Sequence, residues 1–190
     1  DPETALKICQ YATENLSESY YVSLCREMAE TITQNELSFR PLPDAFNPAG
    51  PRLSFSARNA ENIYVRVYKT SPEELQTLYR KTYLSRTINS WDFLSQLNSK
   101  NIPYFLDRAP IQTAHTAVSY QKPYRAQDVS LDLPALDKGF YVLLASWDEA
   151  FNPEQAPVLG TVINLTDLAL FVTSGIEDNP DKYAVSLSSK

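Results

Sequence analysis

Along this chain the spacing of hydrophobic and polar positions changes several times, and each period announces a different element. From Pro2 to Ile32 apolar residues recur every three or four positions. Ala5, Ile8, Cys9 and Ala12 make one stripe, and Tyr21, Leu24, Cys25, Met28, Ala29 and Ile32 make a second. Two antiparallel helices are expected, with Asn15 and Ser17 suited to the cap or turn between them. Small residues in both stripes permit close helix approach, as in tetratricopeptide-type pairs. One such pair cannot build a solenoid alone, so it belongs to a longer array or docks on the rest of the chain.

Beyond Asn35 the period falls to two. Leu37–Arg40 reads as a short strand, and the proline-rich segment Pro41–Pro51 as a loop. Leu53, Phe55 and Ala57 alternate with Ser54, Ser56 and Arg58, which predicts a half-buried strand. In the next strand Ile63, Val65 and Val67 point inward, and Tyr64, Arg66 and Tyr68 share the opposite face. Arg66 between two rings fits a cation–π stack, though a solvated sheet-face ladder is the plainer reading. Ser71-Pro72-Glu73-Glu74 opens a helix over about Pro72–Tyr79, with a cap hydroxyl, a first-position proline and acids in the first turn. A second helix is expected over Ser90–Leu97, with Trp91, Phe93, Leu94 and Leu97 as its apolar side. Ile102–Leu106, lying between prolines, is expected to be extended.

Regular alternation returns at Val129, Leu131 and Leu133. After Gly139 comes a strand, Phe140–Trp147, that is apolar on both faces. Phe140, Val142 and Leu144 occupy one face, and Tyr141, Leu143, Ala145 and Trp147 the other. Such a strand must pack on a second sheet and also on something beyond it, either the insertion or the helical pair. Val158–Leu165 closes the sandwich, Leu168–Val172 starts a further strand, and Tyr183, Val185 and Leu187 alternate once more. The expected fold is mainly β with α. Residues 1–35 form a helical hairpin, and residues 36–166 an antiparallel, fibronectin-like β-sandwich with a partly helical insertion at 71–117. Residues 167–190 supply the start of another β-domain or terminal strands.

Composition narrows the chemistry. At 190 residues, 43% hydrophobic and 21% charged, the chain can bury a full core. A net charge of −6 argues against a nucleic-acid partner, because phosphate neutralisation needs clustered Lys and Arg. No run approaches the roughly 18 apolar residues of a membrane span. Asp1-Pro2-Glu3 opens directly into helical pattern and the far end stops mid-pattern, as expected of a piece of a longer protein. Cys9 and Cys25 fall in the two helices, each about two turns from the bend. A disulfide between them is geometrically open, and buried free thiols are the plainer expectation.

Candidate chemistry is sparse. His115 is the single histidine and has no nucleophile motif beside it. One histidine and two helical cysteines fall short of a zinc tetrad, and Glu177–Asp181 lacks calcium-loop spacing and reads as a solvated turn. Four glycines leave no phosphate cradle. No enzyme, cofactor or metal is therefore expected. Tyr120, Tyr124, Trp147 and Phe151, near predicted strand ends, form the candidate interaction surface. Sugar-binding sandwiches place stacking rings there, whereas the plainer role is padding between domains.

Three motifs in order carry a family resemblance. Asn59–Tyr68 holds an Asn followed by Ile-Tyr-Val-Arg-Val, Leu133–Leu143 reads Leu-Pro-x-Leu-x-x-Gly-x-Tyr-x-Leu, and Leu165–Leu170 reads Leu-Thr-Asp-Leu-x-Leu. After the helical pair, this succession resembles the N-terminal region of bacterial α2-macroglobulin-like proteins, especially of the Bacteroidetes type. Leu165 stands where that family has Val. The resemblance implies a macroglobulin-type β-sandwich, a structural domain in a string that builds a large protease inhibitor of the cell envelope. Its partners would be neighbouring macroglobulin domains of the same chain, and proteases through the full-length protein. Many members carry a thioester in a Cys-x-Glu-Gln motif; neither Cys9 nor Cys25 fits it, and no bait segment is visible. An extracellular binding module for carbohydrate or protein is the alternative.

Overall fold

A computed structural model describes residues 1–40, 50–82, 97, 99–165, 168–174 and 183–189. Most of the proline-rich loop, all but Leu97 of the expected helix at Ser90–Leu97, and the turn at Glu177–Asp181 lie outside these residues. The architecture is mainly β with α. Helices α1 (Pro2–Asn15) and α2 (Tyr20–Thr33) come first, then strands β1 (Glu36–Phe39), β2 (Arg52–Arg58) and β3 (Asn62–Thr70). Helices α3 (Pro72–Thr82) and α4 (Ile102–Leu106) precede β4 (Gln112–Ala117), β5 (Gln127–Asp132), β6 (Gly139–Ser146) and β7 (Leu159–Leu165). A hairpin of β8 (Leu168–Ser174) and β9 (Tyr183–Ser189) ends the described chain.

Two antiparallel sheets face each other. One runs β1-β2-β5, the other β4-β3-β6-β7, and β8 pairs with β9 in a sheet of its own. The alternation read from sequence sets the faces. Leu53, Phe55 and Ala57 of β2, with Leu131 of β5, meet Ile63, Val65 and Val67 of β3 and Tyr141, Leu143 and Ala145 of β6 in one core. The other face of β3 and β6 is not wet. Tyr68, Val142 and Leu144 pack with Leu75 and Leu78 of α3 and with Ile102 and Phe105 of α4 in a second core. The molecule is thus three-layered around β3 and β6, and the covering layer of that apolar second face comes mainly from the insertion, with Phe151 of the β6–β7 connection added.

Several local expectations are corrected. Ile102–Leu106 is a helical turn, because a proline near a helix start loses no hydrogen bond that the helix would use; Pro103 sits there. Gln112–Ala117, unread as a strand, is the edge of the second sheet, with Val65 opposite Ala114. Its residues alternate only between half-buried and exposed, which leaves no hydrophobic pattern to detect. Tyr64, Arg66 and Tyr68 do not act as one ladder. Tyr68 is buried against Phe105, with ring centroids 5.8 Å apart, Tyr64 stacks on His115, and Arg66 lies over Phe151.

The helical pair packs on part of the expected stripes, with Ala5, Ala12, Cys25, Ala29 and Ile32 half-buried, and adds Leu6 and Val22 to them. Leu6, Cys9 and Val22 are buried, whereas Ile8 is 62% exposed and Tyr21 77%. The smaller side chains take the inter-helix contact, and the larger rings are left outward. The N-cap is Ser19, whose hydroxyl accepts from the Val22 amide.

Candidate interaction surface

Several residues of the first two motifs hold turns and packing in place. Asn59 sits at φ 60°, a left-handed conformation that Asn tolerates better than most residues. From there its side-chain amide donates to the Ile32 carbonyl at 2.8 Å and the Gln34 carbonyl at 3.0 Å. The same turn is braced by Arg58, which donates to the Thr31 carbonyl at 3.0 Å and pairs with Glu36. Together these contacts tie the end of α2 to the β2–β3 corner. Gly139, at φ 145°, opens β6 with a backbone that side-chain-bearing residues rarely adopt. Two residues later the buried Tyr141 hydroxyl donates to the Asp137 carbonyl at 2.7 Å, and burial pushes its pKa up.

The four aromatic candidates do not gather. Tyr120 is half-buried after β4; its hydroxyl donates to the Ala60 carbonyl at 2.8 Å, and burial raises its pKa. Tyr124, in the same connection, sits at φ 58°. Trp147 follows β6, packs its apolar body on the first core and lines a groove of about 910 Å³. That groove runs past Gln34, Leu37, Arg58 and Leu159, between the outer edges of β1 and β7. Phe151 is buried in the second core and lines a separate groove of about 380 Å³ with Tyr64, Arg66, Thr113, His115 and Glu149. Tyr120 and Tyr124 line neither of these two.

The smaller groove has the denser polar chemistry. The Arg66 guanidinium lies 4.2 Å from the Phe151 ring centroid and donates to the Glu149 carbonyl at 3.1 Å. His115 and Tyr64 are stacked with centroids 6.0 Å apart. The Arg66–Phe151 pair was missed in sequence because its members are far apart along the chain; the local cue, tyrosines on both sides of Arg66, pointed elsewhere. Among the described residues, no group of His, Cys, Asp or Glu could hold a metal ion.

A polar cluster holds the insertion down. Glu74 accepts from Thr70 at 2.7 Å, Tyr104 at 2.7 Å and Arg108 at 2.8 Å. Burial alone would raise the Glu74 pKa, but these three donors outweigh it and hold the carboxyl below its ordinary value.

Comparison with known proteins gives the following. No family model matches the chain, and no curated protein matches it. Two solved structures are similar. One is native alpha-2-macroglobulin from Escherichia coli spanning domains MG0-NIE-MG1, at 13% identity and TM-score 0.47, covering 82% of this chain and 45% of that one. The other spans domains NIE-MG1 of the same protein, at 15% identity and TM-score 0.46, covering 83% of this chain and 70% of that one. The chain therefore spans under half the length of the first. At this level of similarity neither structure assigns a role to any residue here.

Proposed function

We propose that this chain is a non-catalytic, macroglobulin-type β-sandwich within a large bacterial α2-macroglobulin-like protease inhibitor of the Bacteroidetes type. It acts as a building block of the cell envelope protein that traps proteases, with neighbouring macroglobulin domains as its partners. The observation that carries this reading is the work done by the motif residues. Asn59, Gly139 and Tyr141 hold turns and packing in place and line neither groove described above, whereas Tyr64 and Arg66 of the first motif line the smaller one. A sheet covered on both faces also suits a rigid block better than a domain that opens around a ligand.

The test belongs to the full-length parent protein. After exposure to a protease it is expected to retain that protease in a form that still cleaves small peptide substrates but not large proteins. A parent that inhibits small and large substrates equally, or neither, would remove the trap assignment.

One observation favours a second reading, a binding module for carbohydrate or protein: Trp147 lines the larger groove. On a glycan array, binding abolished by Trp147→Ala would favour the module. A blank array for the wild-type chain would favour the building block.

A further inference from the structure

We propose that Cys9 and Cys25 form a disulfide site which, once oxidised, staples the two helices of the N-terminal hairpin. Their heights along the hairpin match. Helix α1 ends at Asn15 and α2 begins at Tyr20, so each cysteine stands about 8 Å from the turn at 1.5 Å per residue. They also face each other. The Cys9 sulfur is 3.8 Å from the Met28 sulfur, and Met28 lies one helical turn beyond Cys25 on the same side of α2. Cys9 is 3% exposed, and both thiols are free. Ala5, Ala12 and Ala29, half-buried at this contact, favour the close backbone approach that a disulfide needs. Hydrogen bonding to the Cys25 thiol, with burial, pushes the Cys9 thiol's pKa up.

The hairpin has reason to gain from a cross-link. Its buried apolar residues among those described are Leu6, Cys9 and Val22, a thin core for two 14-residue helices. Closing the loop between the cysteines restricts the unfolded hairpin most where packing contributes least.

The oxidant is a low-molecular-weight disulfide such as glutathione disulfide. Cys25, the more exposed of the two, attacks as thiolate; one glutathione leaves and a mixed disulfide forms on Cys25. Cys9 then loses its proton to solvent, attacks the Cys25 sulfur and expels the second glutathione. Two protein thiols are oxidised to one disulfide, and one glutathione disulfide is reduced to two thiols. The bond would persist in an oxidising compartment and be reduced in a cytosol.

The experiment equilibrates the whole chain with glutathione disulfide, alkylates the remaining thiols and digests after glutamate. Glu14 and Glu18 lie between the cysteines, so cleavage separates them unless they are bonded. The expected result is a linked pair of peptides from a monomeric chain, released by reductant. Cys9→Ser, treated alike, should retain glutathione on Cys25. Amide exchange in α1 and α2 should slow by about a hundredfold on oxidation, while β3 and β6 stay unchanged. Recovery of both cysteines as alkylated thiols, under a poise that loads Cys9→Ser with glutathione, would overturn the proposal. So would a bond between two chains, or a bond that leaves helix exchange untouched.

Discussion

At the residue scale, the positions that matter most combine unusual backbone with side-chain contacts. Asn59 is the clearest case: its left-handed backbone and its two donations, to the Ile32 and Gln34 carbonyls at the end of α2, occur in one residue. Asn59→Ala removes both bonds and adds backbone strain, for an expected loss of about 1–3 kcal/mol in urea unfolding. Asn59→Gly relieves the strain alone and should recover part of that loss. If Ala and Gly behave identically, the conformational share of the argument is wrong. Gly50 supplies a second test. It sits at φ 119°, and a Cβ there would stand 2.0 Å from the Leu133 carbonyl oxygen, backbone that cannot swing aside. Gly50→Ala should therefore lower the melting temperature clearly, and an unchanged melt would contradict the close approach. By contrast Arg52 and Asp132 make an exposed bidentate pair at 2.6 and 3.1 Å, whose removal should change little.

At the element scale, the insertion is held to the sheet by two different forces. Phe105 is fully buried against Tyr68, so Phe105→Ala should cost about 3–5 kcal/mol. A loss below 1 kcal/mol would mean that α4 does not cover the sheet. Glu74 adds an acid-sensitive clamp. Its folded pKa lies below the unfolded one, so its contribution is present above the unfolded value, about 4.3, and fades as pH falls through the folded value. Amide protection in α3, taken relative to intrinsic exchange at each pH, should then fall in acid, and Glu74→Gln should flatten that dependence. The two-sided burial of β6 is legible in the sequence, because a run apolar at every position from Phe140 to Ala145 leaves a strand no wet face. The same reasoning foresaw a covering layer but left open whether the insertion or the helical pair supplied it. Strand β4 stayed hidden since Gln112–Ala117 sits at a half-exposed edge, and edges impose no period. The small residues of the helical stripes are legible, but the large apolar side chains Ile8, Tyr21, Leu24 and Met28 draw the pattern away from Leu6 and Val22, which the packing selects. For the four aromatic residues the sequence shows nearness to strand ends; their convergence depends on loop paths, which local sequence does not encode.

At the scale of the whole molecule, three stacked layers carry a helical pair tied on at the β2–β3 corner and by the Arg125–Asp1 pair, the arrangement on which the proposed building-block role rests. Within a trap-forming parent, such a block should move without deforming. Hydrogen exchange across this chain, inside the full-length protein before and after protease capture, tests that most directly. The account expects amides of β3 and β6 to keep the same protection while the parent contracts in solution scattering. Protection lost from those two strands on capture, or capture with no contraction of the parent, would contradict it.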